Sequence, residues 1–358
     1  NQMIIKILQM FRFLLVLSAF MLTVSCGRNN IVSGVPVRYV TAERSMELKA
    51  DSSFRYDFPQ SLQMVSLYVQ DSVLVVKESV GGNMDGRYFK CYSLEDGSCM
   101  GEYVLRGRGP GEALSPNIRG SFHDSLGREC LYVFDISLGR SYGLDLAKSI
   151  KEGKTEIFPL TDFPVQPLDA YLYRDTLQFV TVADNDRQLY RIMGLDGKEL
   201  KTFDILHDIS ADVFLPQLSE CVVLNHEEGL AALLMLGLPQ MNILDLETGD
   251  VKSYAVSPEY VHWRDIISRY DMNSMVYYNA AISSDEFIMA LYIGESVADS
   301  VDKDCSHLHV YDWSGRFLYD IALSEAIDAI GFDEKTEMLY ALDRNANRIY
   351  RYELSELI

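Results

Sequence analysis

Downstream of residue 25, apolar positions recur in short alternating runs, and long stripes at helical spacing are nearly absent. Runs at 72–76, 131–134, 177–182, 230–235, 287–292 and 338–342 read as strands, because a half-buried strand repeats every second residue. Each is followed, after a turn, by a second run, at about 88–94, 140–146, 188–194, 240–246, 307–313 and 348–354. Asp96-Gly97, Asp196-Gly197, Thr248-Gly249 and Ser314-Gly315 close these units, with glycine supplying the positive φ of a tight turn. The turn glycines at 97, 153, 197, 249 and 315 stand 44 to 66 residues apart. A period of about fifty residues built from short strands predicts a propeller, in which each blade covers its neighbour's sheet face. The fold expected is all-β, a six-bladed β-propeller. Its sixth unit stops at Ile358 with only three strands. A strand from the N-terminal segment, at 54–58, is expected to complete that blade and remove the exposed edge.

The first 25 residues read differently. Lys6 and Arg12 precede an uncharged run at 13–24. That is short of the roughly 20 residues that span a bilayer core, and it matches the apolar region of a signal peptide. The run ends in Leu22-Thr23-Val24-Ser25-Cys26-Gly27. This resembles the lipobox of bacterial lipoproteins, with Thr23 where that family usually has leucine. The resemblance implies that Cys26 carries the lipid and begins the mature chain. Residues 1–25 are then a lipoprotein signal peptide, 26–50 a tether and lead-in, and 51–358 the propeller. Cys26 is followed by Gly27-Arg28-Asn29-Asn30 and not by acidic residues, so attachment to the outer membrane facing the periplasm is expected.

Composition narrows the function classes. Among 358 residues there are 32 Lys+Arg against 52 Asp+Glu, a formal net charge of -20. Removing residues 1–25 takes away Lys6 and Arg12 and no acid, which leaves 30 basic against 52 acidic residues, or -22. Nucleic-acid binding needs clustered cations, so it is not expected. After Cys26 five cysteines remain, at 91, 99, 130, 221 and 305, with no C-x-x-C pair. An odd number argues against both a zinc ribbon and a full disulfide framework. Cys91 and Cys99 flank a predicted turn, and whether they pair stays open at this stage.

Between the first and second units stands Arg106-Gly107-Arg108-Gly109-Pro110-Gly111-Glu112. It resembles the G-x-GPGE stretch of TolB-like six-bladed β-propeller lipoproteins, and the likeness of lipobox, motif position and blade count runs over the mature chain. The final unit, from Asp343 to Tyr350, is also similar to an NHL-type hairpin. For the lipoprotein group the resemblance implies a fold and an envelope location, and no established chemistry.

The residues themselves offer one candidate site, a ligand-binding rim of Arg106, Arg108 and Glu112. Its glycines let successive N–H groups point one way, and the arginines add charge for an anion. A purely structural turn is the competing reading, with Glu112 pairing an arginine. No Gly-Lys-Ser/Thr follows, so this is no P-loop. Asp135 with Arg140, and Asp343 with Arg348, read as turn caps across a hairpin. Asp343, Asn345 and Asn347 mimic the start of a calcium loop, but Arg348 and Leu354 stand where such a loop needs Gly and Glu. His307 and His309 share a strand face without a recognisable third ligand. No catalytic residue, metal set or cofactor is expected, since no nucleophile or nucleotide motif appears.

Insertions at 257–273, which reads as a short helix, and at 294–306 follow a fourth and a second strand. They therefore share a rim with the arginine loop, where repeat folds place binding. The function expected is an envelope-tethered, monomeric binding or scaffolding module for an unidentified protein or saccharide, touching the membrane only through its lipid. The alternative is a metal-assisted hydrolase or lyase with its site at the propeller axis.

Overall fold

The computed structural model describes residues 30–52, 54, 64–80, 86–184, 187–206, 220–257, 263, 271–301, 305–355 and 357. Among these, the strands form six sheets, each an antiparallel meander, arranged as a six-bladed β-propeller. The first strands of the blades are Met64–Gln70, Pro116–His123, Pro167–Tyr173, Glu220–Asn225, Met275–Ser283 and Ala329–Asp333. Neighbouring first strands touch: the fourth blade's meets the fifth's, the fifth's meets the sixth's, and the sixth's meets the first blade's. They therefore surround the axis, and the last of these contacts closes the ring.

The alternation in the sequence is the alternation of blade faces. In the fourth blade, Ala231, Leu233 and Met235 pack toward the third blade. Ala232 and Leu234, one residue out of phase, pack toward the fifth. Both faces of a blade are thus buried, as a propeller demands. The runs read as hairpin pairs are the second and third strands of each blade. Gly97, Gly197, Gly249 and Gly315 lie in third-to-fourth-strand turns with φ between 72° and 88°.

Gly153 belongs to a different structure. It caps a helix at Leu146–Glu152 in the left-handed conformation, while Asp145 caps the other end by accepting the Lys148 N–H. This helix replaces a tight turn between the third and fourth strands of the second blade. Cys91 and Cys99 face Gly101 and Tyr92 in the strand register, and both are free thiols.

The segment before the first blade is laid along the outer edges of three blades. Val37–Tyr39 runs parallel to the fourth strand of the fourth blade, and Arg44–Leu48 parallel to that of the fifth. Asp51 then donates its N–H to the Arg351 carbonyl, 2.8 Å away, on the outer edge of the sixth blade, which has three strands among the described residues. Phe54 is buried against Tyr340 and Ile349. The rest of the predicted strand at 54–58 lies outside the described residues.

The belt is fixed at its start by Asn30, which is fully buried. Its amide nitrogen donates to the Val35 carbonyl and to Ser253 Oγ, both at 2.9 Å. Its oxygen accepts from the Val32 N–H at 3.0 Å and from Gln240 Nε2 at 2.7 Å.

Candidate functional site

Strand connections in a meander alternate between the two ends of the ring. Those after second and fourth strands share one face, and that face carries the polar constellation at the axis. Asn117, Arg119 and Asp169 come from first strands that are not regular. The register to the second strand slips between Met64 and Ser66, between Ile118 and Ser121, between Pro167 and Asp169, and twice between Val276 and Ala280. A bulge turns a side chain that would pack between blades toward a new direction. In the second blade the slip contains Arg119 and Gly120, and Gly120 holds φ 129°, a value other residues rarely adopt.

Arg119 forms a two-pronged pair with Asp169 of the third blade, Nε to Oδ1 at 3.1 Å and Nη2 to Oδ2 at 2.8 Å. The Tyr171 hydroxyl donates to the same carboxylate at 2.9 Å, and the guanidinium lies 5.0 Å over the Tyr171 ring. Burial opposes the Arg119 charge, but Asp169 and Tyr171 outweigh it and hold the guanidinium firmly protonated. Lys77, at the end of the first blade's second strand, donates to Asn117 Oδ1 at 2.7 Å. Burial, followed by the positive charge of Arg119, lowers the Lys77 ammonium to about 8. Arg344, in a sixth-blade turn on the same face, also presses on that ammonium and donates to the Val65 carbonyl at 3.1 Å.

At the top of the fourth blade, Glu220 Oε1 accepts the Tyr190 hydroxyl at 2.6 Å, while its Oε2 is buried without a hydrogen-bond partner. Burial raises this carboxyl to about 8, so it is mostly neutral at pH 7. Beside it, burial pushes the Cys221 thiol up to about 12, which leaves it protonated and a poor nucleophile.

The predicted rim lies on the same face. Arg108 is exposed and Arg106 half-buried, in a loop that Glu112 braces. Glu112 turns inward and accepts the Gly109 N–H at 2.7 Å, and a Cβ on Gly107 would stand only 1.9 Å from its Oε2. The glycine there makes room for the carboxylate. The loop's exit is held by Asp135, which is fully buried. Asp135 takes the N–H groups of Leu114 at 2.6 Å, Ser115 at 3.2 Å, Ser137 at 3.0 Å and Leu138 at 3.1 Å. The predicted cap is thus real, but Arg140 pairs with Asp162 and does not fold back onto it. By fixing Leu114 and Ser115, Asp135 sets the start of the strand that bears Asn117 and Arg119.

Other candidates sit elsewhere. His307 and His309 flank Asp320, at 2.7 Å and 3.8 Å from the same carboxylate oxygen. His309 is buried between Tyr292 and Phe317, and burial lowers it to about 3. Among the described residues no three His, Cys, Asp or Glu side chains gather as a metal site would need. Of the 257–273 insertion, Trp263 is buried in the core, and most of the rest lies outside the described residues. A groove of about 540 Å³ opens on the opposite face, between the first strand-pair turn at Gln70–Asp71 and the helix at Leu146–Glu152. It is well removed from the axial constellation.

Lys77, Asn117, Arg119, Asp169, Tyr171 and Glu220 were not singled out from the sequence. A signal existed for Arg119, since glycine beside a charge inside a strand marks a bulge. For the others a lone polar residue at a strand end looks like ordinary surface.

The ring can be compared with solved structures. A member of the DUF4221 family from Bacteroides vulgatus ATCC 8482 is 12% identical, with 87% of this chain and 96% of that one covered at a TM-score of 0.52. A protein of Bacteroides fragilis NCTC 9343 classed as exported is 9% identical, with 86% and 99% covered at 0.51. The chain shares their fold. No family model matches the sequence, and no curated protein matches it significantly. Among the described residues no helix is long and apolar enough to cross a membrane.

Proposed function

We propose that this propeller is a monomeric binding or scaffolding module of the bacterial envelope, tethered to the outer membrane by a lipid on Cys26. Its partner, a protein or saccharide, meets the face that bears the axial mouth, Arg106, Arg108 and Glu112. The observation that carries this reading is the convergence of Lys77, Asn117, Arg119 and Asp169 from three blades at one end of the axis. Concave sites with a few oriented polar groups are where ligands bind. The alternative of an axial hydrolase or lyase finds no gathered set of three ligands among the described residues. The oriented donors and acceptors at the mouth make binding the function this geometry supports best.

The tether is short. Three residues separate Cys26 from Asn30, and four steps of an extended chain at about 3.5 Å each put the outer edge of the fourth blade within about 14 Å of the lipid-bearing residue. Cys26→Ser should move the protein from the membrane fraction to the soluble periplasmic fraction, because the acyl chains supply the membrane affinity. Full membrane retention of that variant would remove the lipid from this account.

A further inference from the structure

The axial mouth has two cations, Lys77 and Arg344, whose side chains are held by neutral oxygens. Asp169 is occupied by Arg119 and Tyr171. Asp135 is occupied by four main-chain N–H groups. The hydrogen bonds of Lys77 and the Arg344 side chain go to neutral oxygens, those of Asn117 and Val65. Neither cation has a carboxylate within ion-pairing distance among the described residues, in a chain whose acids outnumber its bases by 20. Lys77, Arg119 and Arg344 stand here with the carboxylates Asp135, Asp169 and Asp328, the last of which accepts the Arg344 N–H at 2.9 Å while the Arg344 side chain goes to the Val65 carbonyl.

Both cations border the start of the first blade's inner strand. Ser66 faces Lys77 in the register, and the carbonyl of its neighbour Val65 holds Arg344. The bulge at that point brings the two onto one short stretch of backbone.

We propose that the axial mouth binds one carboxylate group of the ligand, held by Lys77 and Arg344 beside the Arg119–Asp169 pair. A carboxylate offers one oxygen to each of these two donors with a single charge, whereas a phosphate dianion would bring twice that charge next to Asp169 and Asp328. The carboxylate can come from a uronic-acid sugar or from a peptide, and both present the same planar, singly charged acceptor. Lys77 must be protonated to take part, so affinity falls as the pH rises through about 8.

This inference rests on the mouth-bearing face being the recognition surface, and the test separates the two. Calorimetric titration uses sodium glucuronate, glucose as its neutral twin, N-acetylalanylalanine as a peptide carboxylate, and inorganic phosphate. The expected result is that glucuronate or the peptide binds while glucose does not, with phosphate weaker than either. Lys77→Met and the exposed-site variant Arg344→Met should each weaken binding at least tenfold, with the melting temperature unchanged for Arg344→Met. Absence of binding by both carboxylates at millimolar concentration overturns the inference, as does equal binding of glucose or tighter binding of phosphate. So does full affinity in Arg344→Met. Capture of envelope oligosaccharide by the wild-type protein, measured alongside, reports on the recognition surface itself: capture without binding of either carboxylate removes the carboxylate and leaves the module.

Discussion

Replacing Asn30 by alanine should lower the stability of the propeller by about 3 kcal/mol, measured by urea unfolding. The residue is fully buried and uses both amide hydrogens and both lone pairs within the fold. Its removal leaves Gln240, Ser253, the Val32 N–H and the Val35 carbonyl without that partner, in a place water does not reach. A buried group left unsatisfied costs more than a hydrogen bond contributes, which is why one side chain has so large an effect. The loss should be concentrated in the belt. Amide exchange should quicken first at Val37–Tyr39, whose parallel pairing to the fourth blade starts just after this anchor. A variant with unchanged urea midpoint and unchanged exchange would show that the belt is not fixed there.

Glu220→Gln should stabilise the protein at pH 8 by about 4 kcal/mol and leave it unchanged at pH 4. The folded-state carboxyl is raised to about 8 from an ordinary value of 4.5. A raised acid favours the fold fully below pH 4.5, and that contribution is lost as the pH climbs toward 8 and the buried group must ionise. Glutamine keeps the acceptor for the Tyr190 hydroxyl and has no charge to bury. The gap between variant and wild type should therefore open between pH 4.5 and pH 8. His309 acts in the opposite sense: lowered to about 3, it favours the fold above its ordinary 6.5 and loses that contribution on acidification. Because His309 is present in both proteins, it cancels from the comparison. Parallel stability curves for wild type and Glu220→Gln across this range would contradict the assignment.

The blade repeat was legible because each blade's second and third strands are buried on both faces and joined by a tight turn. Runs such as 230–235 and glycines such as Gly249 announce that directly. The helix at Leu146–Glu152 was less visible: seven residues are too few for a helical stripe, and its cap Gly153 fell near the period of the turn glycines. The belt strands were hidden by their exposure. Arg44 and Ser45 are exposed, and pairing that rests on backbone hydrogen bonds leaves little mark in the side chains.

The axial constellation was illegible for a different reason. Lys77, Arg119 and Asp169 lie 40 to 50 residues apart; the bulges at Arg119 and before Asp169 break the alternation by which strands are recognised, and Lys77 stands at the end of a regular second strand. The rim was partly legible. Its arginines were found through the glycines around them, but the inward turn of Glu112 onto Gly109 and the brace of Asp135 depend on a register that sequence spacing does not give.

The central claim is that recognition occurs on the face bearing the axial mouth, and hydrogen exchange with and without the captured envelope oligosaccharide tests it most directly. The account predicts slowed exchange at 64–66, 106–119 and 167–171, which form the mouth and its rim. Slowed exchange confined to 70–73 and 145–152, at the groove on the opposite face, would contradict it.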